Sequence, residues 1–131
     1  MWTLVLYVQH KPEFIGSRRL LSEHDLHCQV ADYLNLALGP QTFWHHSPME
    51  GKHKVQYRVK QNRLGAKKGF PDILIIHRGR PLFIELKTQK GRVSDAQKEC
   101  HKQLMLAGAV VKVIRNLDDV IEFVGMTCGR P

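Results

Sequence analysis

The stretch from Pro71 to Lys87 constrains this chain more than any other part of it. Ile73-Leu74-Ile75-Ile76-His77 is a continuous apolar run, Arg78-Gly79-Arg80-Pro81 carries turn residues, and Leu82-Phe83-Ile84-Glu85-Leu86-Lys87 is a second such run. Two short apolar runs around a glycine turn read as buried antiparallel strands. With the turn centred on Gly79 and Arg80, the register sets Asp72 opposite Lys87, and side-chain alternation puts Glu85 on the same face as Lys87. Two carboxylates and an ammonium group then meet at one end of the hairpin. Burying an uncompensated carboxylate is costly, so acids at the ends of such strands call for an offsetting cation. That cation is either Lys87 in a structural ion pair or a hard divalent metal. In the second case Asp72, Glu85 and the backbone carbonyl of Leu86 are the candidate ligands for Mg2+ or Mn2+, and Lys87 is the candidate catalytic cation that steadies negative charge.

The rest of the chain supplies the frame for that hairpin. Ser22 is a good N-cap with Asp25 as its capping-box partner, and Leu26, Val30, Leu34 and Leu38 repeat at helical spacing until Gly39-Pro40 ends the helix. Thr42-Phe43-Trp44-His45-His46 has strand composition. Between Pro48 and Gly69 the pattern is divided: Val55, Tyr57 and Val59 alternate as in a strand, while Lys54, Arg58 and Arg63 suit a short basic helix ending at Gly65, and helix or loop is the better reading. Ser94 begins a helix that runs to about Ala107, with Gln97 in the capping-box position and Gly108 just past the end. Ala109 to Ile114 is another strand, and Asn116 caps a last helix containing Val120, Ile121 and Phe123. A helix between two core strands makes a crossover to a parallel neighbour, so an α/β fold is expected, its mixed sheet carrying helices packed on its faces.

Composition narrows the function classes. With 131 residues, 43% apolar and 24% charged, the chain fits one compact domain that builds its core without staples. Twenty Lys and Arg against twelve Asp and Glu leave a formal charge of +8, which favours a polyanionic partner but names no reaction. Cys28, Cys100 and Cys128 stand far apart, giving neither a disulfide framework nor a zinc ribbon, and reduced thiols point to the cytoplasm. The run Trp2 to Val8 is too short to span a bilayer and lacks the flanks of a signal peptide, so it reads as a strand or partner contact and no membrane association is expected. His24, His27, Cys28, His45 and His46 match no standard zinc spacing, although His45-His46 has a place in DNA contact. No phosphate loop, nucleophile elbow or dinucleotide fingerprint is present, so no small-molecule cofactor is indicated.

Pro71-Asp72 followed by Glu85-Leu86-Lys87 resembles the signature of the PD-(D/E)XK nucleases. The wider wording resembles their VRR-NUC branch: Ser22-Glu23, Gly69-Phe70-Pro71-Asp72, Ile84-Glu85-Leu86-Lys87, Gly91-Arg92-Val93-Ser94, Gln97 and Gly108. The match spans about residues 22 to 124, and the Gly-Arg-Val-Ser-x-x-Gln step makes it more specific than the two-strand core alone. The resemblance implies a restriction-endonuclease-like αβββαβ core in a nuclease domain at 22–125, with residues 1–21 as an N-terminal extension and 126–131 as a tail. It implies Mg2+- or Mn2+-dependent hydrolysis of DNA phosphodiester bonds, on branched, Holliday-junction-like DNA of the kind met in DNA repair, by a homodimer. Linear-duplex or flap cleavage, a non-cleaving DNA-binding module and an RNA-directed nuclease are the alternatives.

The resemblance also bears on two residues whose local reading is bland. Glu23 lies on the apolar stripe of the first helix, where it either favours the positive helix end or, as family members use such a Glu, joins the metal site. Ser94-x-x-Gln97 is a complete capping box, yet the resemblance places a Gln of this helix at the active site, and both roles stand. Lys67, Lys68, Lys90 and Arg92 flank the two strand ends and either hold DNA phosphates or form a solvated surface.

Overall fold

The computed structural model describes residues 21–48 and 54–129. The Trp2–Val8 run and the rest of residues 1–20 lie outside the described residues. The elements follow in the order α1 (Glu23–Ala37), β1 (Thr42–His46), α2 (Val55–Arg63), β2 (Ile73–His77), β3 (Arg80–Leu86), α3 (Asp95–Leu106), β4 (Val110–Ile114) and α4 (Leu117–Thr127). Helix wins over strand at Val55, Tyr57 and Val59. Among the described residues no helix is long and apolar enough to cross a membrane.

The helix starts are set by side-chain caps. Ser22 and Asp25 form a reciprocal capping box on α1, Ser94 and Gln97 do the same on α3, and Asn116 accepts from the Asp119 N–H on α4. Each cap satisfies donors that the first helical turn leaves orphaned. α2 has no side-chain cap and no buried residue.

The strands form one mixed sheet in the order β1-β2-β3-β4, antiparallel except for the β3–β4 pair, which α3 connects. The hairpin register differs from the one expected from a turn at Gly79-Arg80. His77 pairs with Arg80 and Ile73 with Ile84, so the turn residues are Arg78 and Gly79. Both have positive φ, 48° and 79°, as a two-residue type I′ turn requires. Arg78 is the only non-glycine with positive φ among the described residues, and Gln41 holds it by two bonds, from Arg78 Nε to Gln41 Oε1 at 2.7 Å and from Arg78 N to the Gln41 carbonyl at 3.3 Å. Continued by one residue, the observed ladder sets Asp72 across from Glu85, not from Lys87.

Alternation divides the sheet into two faces. Ile73, Ile75, Leu82, Ile84, Leu86 and Ile114 face α1 and α4, where they pack with Leu26, Val30, Tyr33, Leu34, Val120, Phe123 and Val124 into the core. The opposite face carries Phe83 and Glu85, with α3 lying against the β4 side. The hydrophobic energy of the molecule is therefore concentrated under α1 and α4, and the second face is left for polar groups.

The turn before β2 is fitted tightly to the start of α3. Gly69 has φ 80°, and a Cβ there would overlap the Ala96 carbonyl. Gly79 has a similar φ of 79° but open space around it. Gly69→Ala should therefore destabilise the fold by about 3 kcal/mol or more, and Gly79→Ala by about 1 kcal/mol, measured as shifts in urea midpoint at constant m-value. Equal shifts would mean that the contact with Ala96 carries no weight.

Candidate active site

Asp72 and Glu85 come from neighbouring strands and are almost wholly buried, at 1% and 0% exposure. Asp72 extends the β1–β2 ladder, its carbonyl accepting from the Ser47 N–H at 2.9 Å and meeting His46 Nδ1 at 3.2 Å. Its side-chain Oδ2 accepts from the Leu86 N–H at 2.7 Å. That N–H points towards β2 because the next one, of Lys87, is given to the Ile114 carbonyl on β4. The antiparallel ladder would pair Leu86 with Pro71, and proline has no N–H to offer the Leu86 carbonyl. The Pro-Asp step thus breaks the ladder where the carboxylate enters it.

Glu85 sits among three side chains. Lys87, two residues on and so on the same face, brings its Nζ to 3.7 Å from Oε1, with 12% of its side chain exposed. Gln97 Nε2 donates to the same oxygen at 2.6 Å. His101 Nε2 lies 3.5 Å from Oε2. Burial pushes the His101 imidazole below its ordinary pKa, and the Lys87 charge pushes it the same way. At neutral pH His101 is therefore an uncharged polar neighbour. Cys100 beside it is buried, and its thiol is pushed up first by burial and then by the Glu85 charge.

Gln97 closes the expected capping box and also bonds Glu85. Its Oε1 accepts from the Ser94 N–H at 2.9 Å, closing the capping box, while its Nε2 reaches Glu85. One amide joins the start of α3 to the sheet carboxylate because its oxygen and nitrogen bond in opposite directions.

The other predicted positions are distributed around this group. Lys67 and Lys68 are exposed on the turn before Phe70 and line a cleft of about 410 Å³ that also includes Ser47 and Gln97. Lys90 and Arg92 are exposed on the loop after β3. Glu23 is half-buried in a small pocket with His24, His27, His46 and Pro48. Among the described residues no three His, Cys, Asp or Glu side chains converge as a ready metal cage.

Two residues here were not singled out from the sequence. His101 follows Gln97 by four residues, the spacing that places both on one helix face, and this was the available signal. Arg115 offers none: its Nη1 donates to the carbonyls of Thr88 and Gly91, both at 2.6 Å, and so pins the loop that bears Lys90. That contact spans distant parts of the chain and exists only after folding.

The arrangement is a pair of buried carboxylates beside an ammonium group, linked through Gln97 to a cleft edged by lysines. Such a set can hold a hard cation and stabilise charge on a phosphate. Residues 14–116 match the VRR-NUC domain family. A solved structure described as a VRR_NUC domain protein is 26% identical, superposes with a TM-score of 0.63, and the alignment covers 82% of this chain and 88% of that one. No curated protein matches the chain. The chain belongs to the VRR-NUC family, a branch of the PD-(D/E)XK superfamily whose domain is a nuclease acting on DNA.

Proposed function

We propose that the protein is an Mg2+- or Mn2+-dependent endonuclease that hydrolyses DNA phosphodiester bonds, selectively on branched, Holliday-junction-like DNA, as a homodimer. The observation that carries this reading is the cross-strand placement of Asp72 and Glu85, both buried, with Lys87 on the same face. The donor set fits the metal: Mg2+ is commonly held by one or two carboxylates with waters and substrate phosphates completing its shell, so no three-residue cage is needed. Asp72, Glu85 and the Leu86 carbonyl, which Pro71 cannot bond, would hold it. When bound, such a cation polarises a phosphate oxygen and lowers the pKa of a water.

The chain's own groups then have separate tasks. The Leu86 N–H orients Asp72, and Gln97 fixes Glu85 in its rotamer while capping α3. Lys87 steadies the attacking water and offsets the charge that grows on the phosphate in the transition state. Glu23 takes an outer place, since its pocket includes His46, whose ring meets the Asp72 carbonyl. Lys67, Lys68, Lys90 and Arg92 bind backbone phosphates, which gives affinity without sequence choice. Cutting two strands at a junction needs two sites related by symmetry, which a homodimer supplies.

Asp72→Asn and Lys87→Ala should each lower the cleavage rate of a labelled four-way junction by about a hundredfold or more, with gel-shift affinity retained. EDTA should stop cleavage by the parent protein. Cutting that persists in EDTA, or in both variants, would sink the metal-dependent reading. Equal rates on a junction, a flap and a linear duplex would sink the branched-DNA preference alone.

Gln97→Met should cost about 2–4 kcal/mol in urea unfolding, through the lost cap together with the lost bond to buried Glu85. It should also lower kcat for cleavage by about tenfold as Glu85 loses its anchor. If stability falls while kcat is unchanged, Gln97 is a helix cap and nothing more.

A further inference from the structure

α2 is the one described helix with no buried residue, although it carries Val55 and Val59. Their exposures are 66% and 61%. A helix of nine residues gains little from its own hydrogen bonds, so what its exposed side chains line is the informative feature. Val55, Arg58, Val59 and Asn62 follow the i, i+3, i+4, i+7 pattern, so they share one face, and all four line the cleft of about 410 Å³. Its other wall is the turn from Lys67 to Phe70, held against α3 by the close approach of Gly69 to Ala96. The Phe70 ring is fixed edge-on against Phe83 at 5.4 Å. The cleft reaches the proposed catalytic group through Gln97, which bonds Glu85, and through Phe70, two residues before Asp72.

We infer that this cleft seats one unpaired nucleotide of the DNA, next to the phosphate that is cut. The inference rests on the nuclease reading given above and narrows its substrate to DNA with an unpaired or extruded nucleotide beside the scissile bond. The volume is that of a small-molecule site, which ranges over roughly 300–1,000 Å³, and too small for a duplex. Val55, Val59 and Phe70 offer an apolar surface for a base, and Asn62 offers an amide to its edge. Arg58, Lys67 and Lys68 provide positive charge for the flanking phosphates, which suits a nucleotide and opposes a purely apolar partner.

The test compares cleavage of a duplex carrying one unpaired nucleotide beside the cut with cleavage of the fully paired duplex. A second readout is the fluorescence of 2-aminopurine at the unpaired position on binding. The parent protein should favour the unpaired substrate in kcat/KM by about tenfold and change the 2-aminopurine signal. Val59→Glu and its neutral counterpart Val59→Gln, at an exposed site where folding is checked by circular dichroism, should bring that ratio towards one and abolish the change. An unchanged ratio and signal in both variants overturn the cleft assignment while cleavage itself persists. So does conversion of a dimer to a monomer with the ratio intact, which would make the cleft a contact between copies. Absence of any cutting would instead count against the nuclease reading, and the 2-aminopurine signal would still decide the cleft.

Discussion

The turn at Arg78-Gly79 sets the phase of everything that follows it. Two positive φ angles close the hairpin with two residues, and the ladder that results puts Asp72 across from Glu85. Because side chains alternate with a period of two, a slip by one residue would send Glu85 and Lys87 to the apolar face and bring Leu86 to the polar one. The register is held from both sides. Ile73, Ile75, Leu82, Ile84 and Leu86 are all buried with α1 and α4, and Gln41 grips Arg78 in its left-handed conformation. The core and the site are thus two readouts of one register.

Placing two carboxylates in a dry location has a cost that a polar shell offsets in part, through Asp72 Oδ2 and Glu85 Oε1. Asp72 is bonded by a backbone N–H, and Glu85 by an amide and a nearby ammonium group. A buried charge left uncompensated would cost several kcal/mol, so these contacts are conditions for the fold as well as for the chemistry. α3 has the same double function. Its buried residues are only Cys100 and His101, so the bond from Gln97 to Glu85 and the fit at Gly69 help to attach it to the rest of the fold.

Much of the frame was legible because its signals are local. Ser22 with Asp25, Ser94 with Gln97, and Asn116 announce helix starts through bonds that span three residues, and the apolar runs announce the strands. α2 was ambiguous for a physical reason: with no buried face it shows no periodicity that the core imposes, and Val55, Tyr57 and Val59 happen to alternate. The hairpin phase was misread by one position because Gly79 is compatible with either half of a two-residue turn. What decides is the left-handed Arg78, held by Gln41, a residue thirty-seven positions away.

The sequence by itself determined the order of the elements other than α2, the capped helix starts and the identity of the acids and the lysine, since propensities, caps and strand alternation act within a few residues. Tertiary structure decided which acid faces which, that Gln97 both caps α3 and bonds Glu85, that His101 joins this group, and that Arg115 ties down the following loop. It also placed α2 along the cleft that Gln97 shares. Each of these depends on side chains brought together from separate elements, and such distances are set by packing rather than by any pattern along the chain.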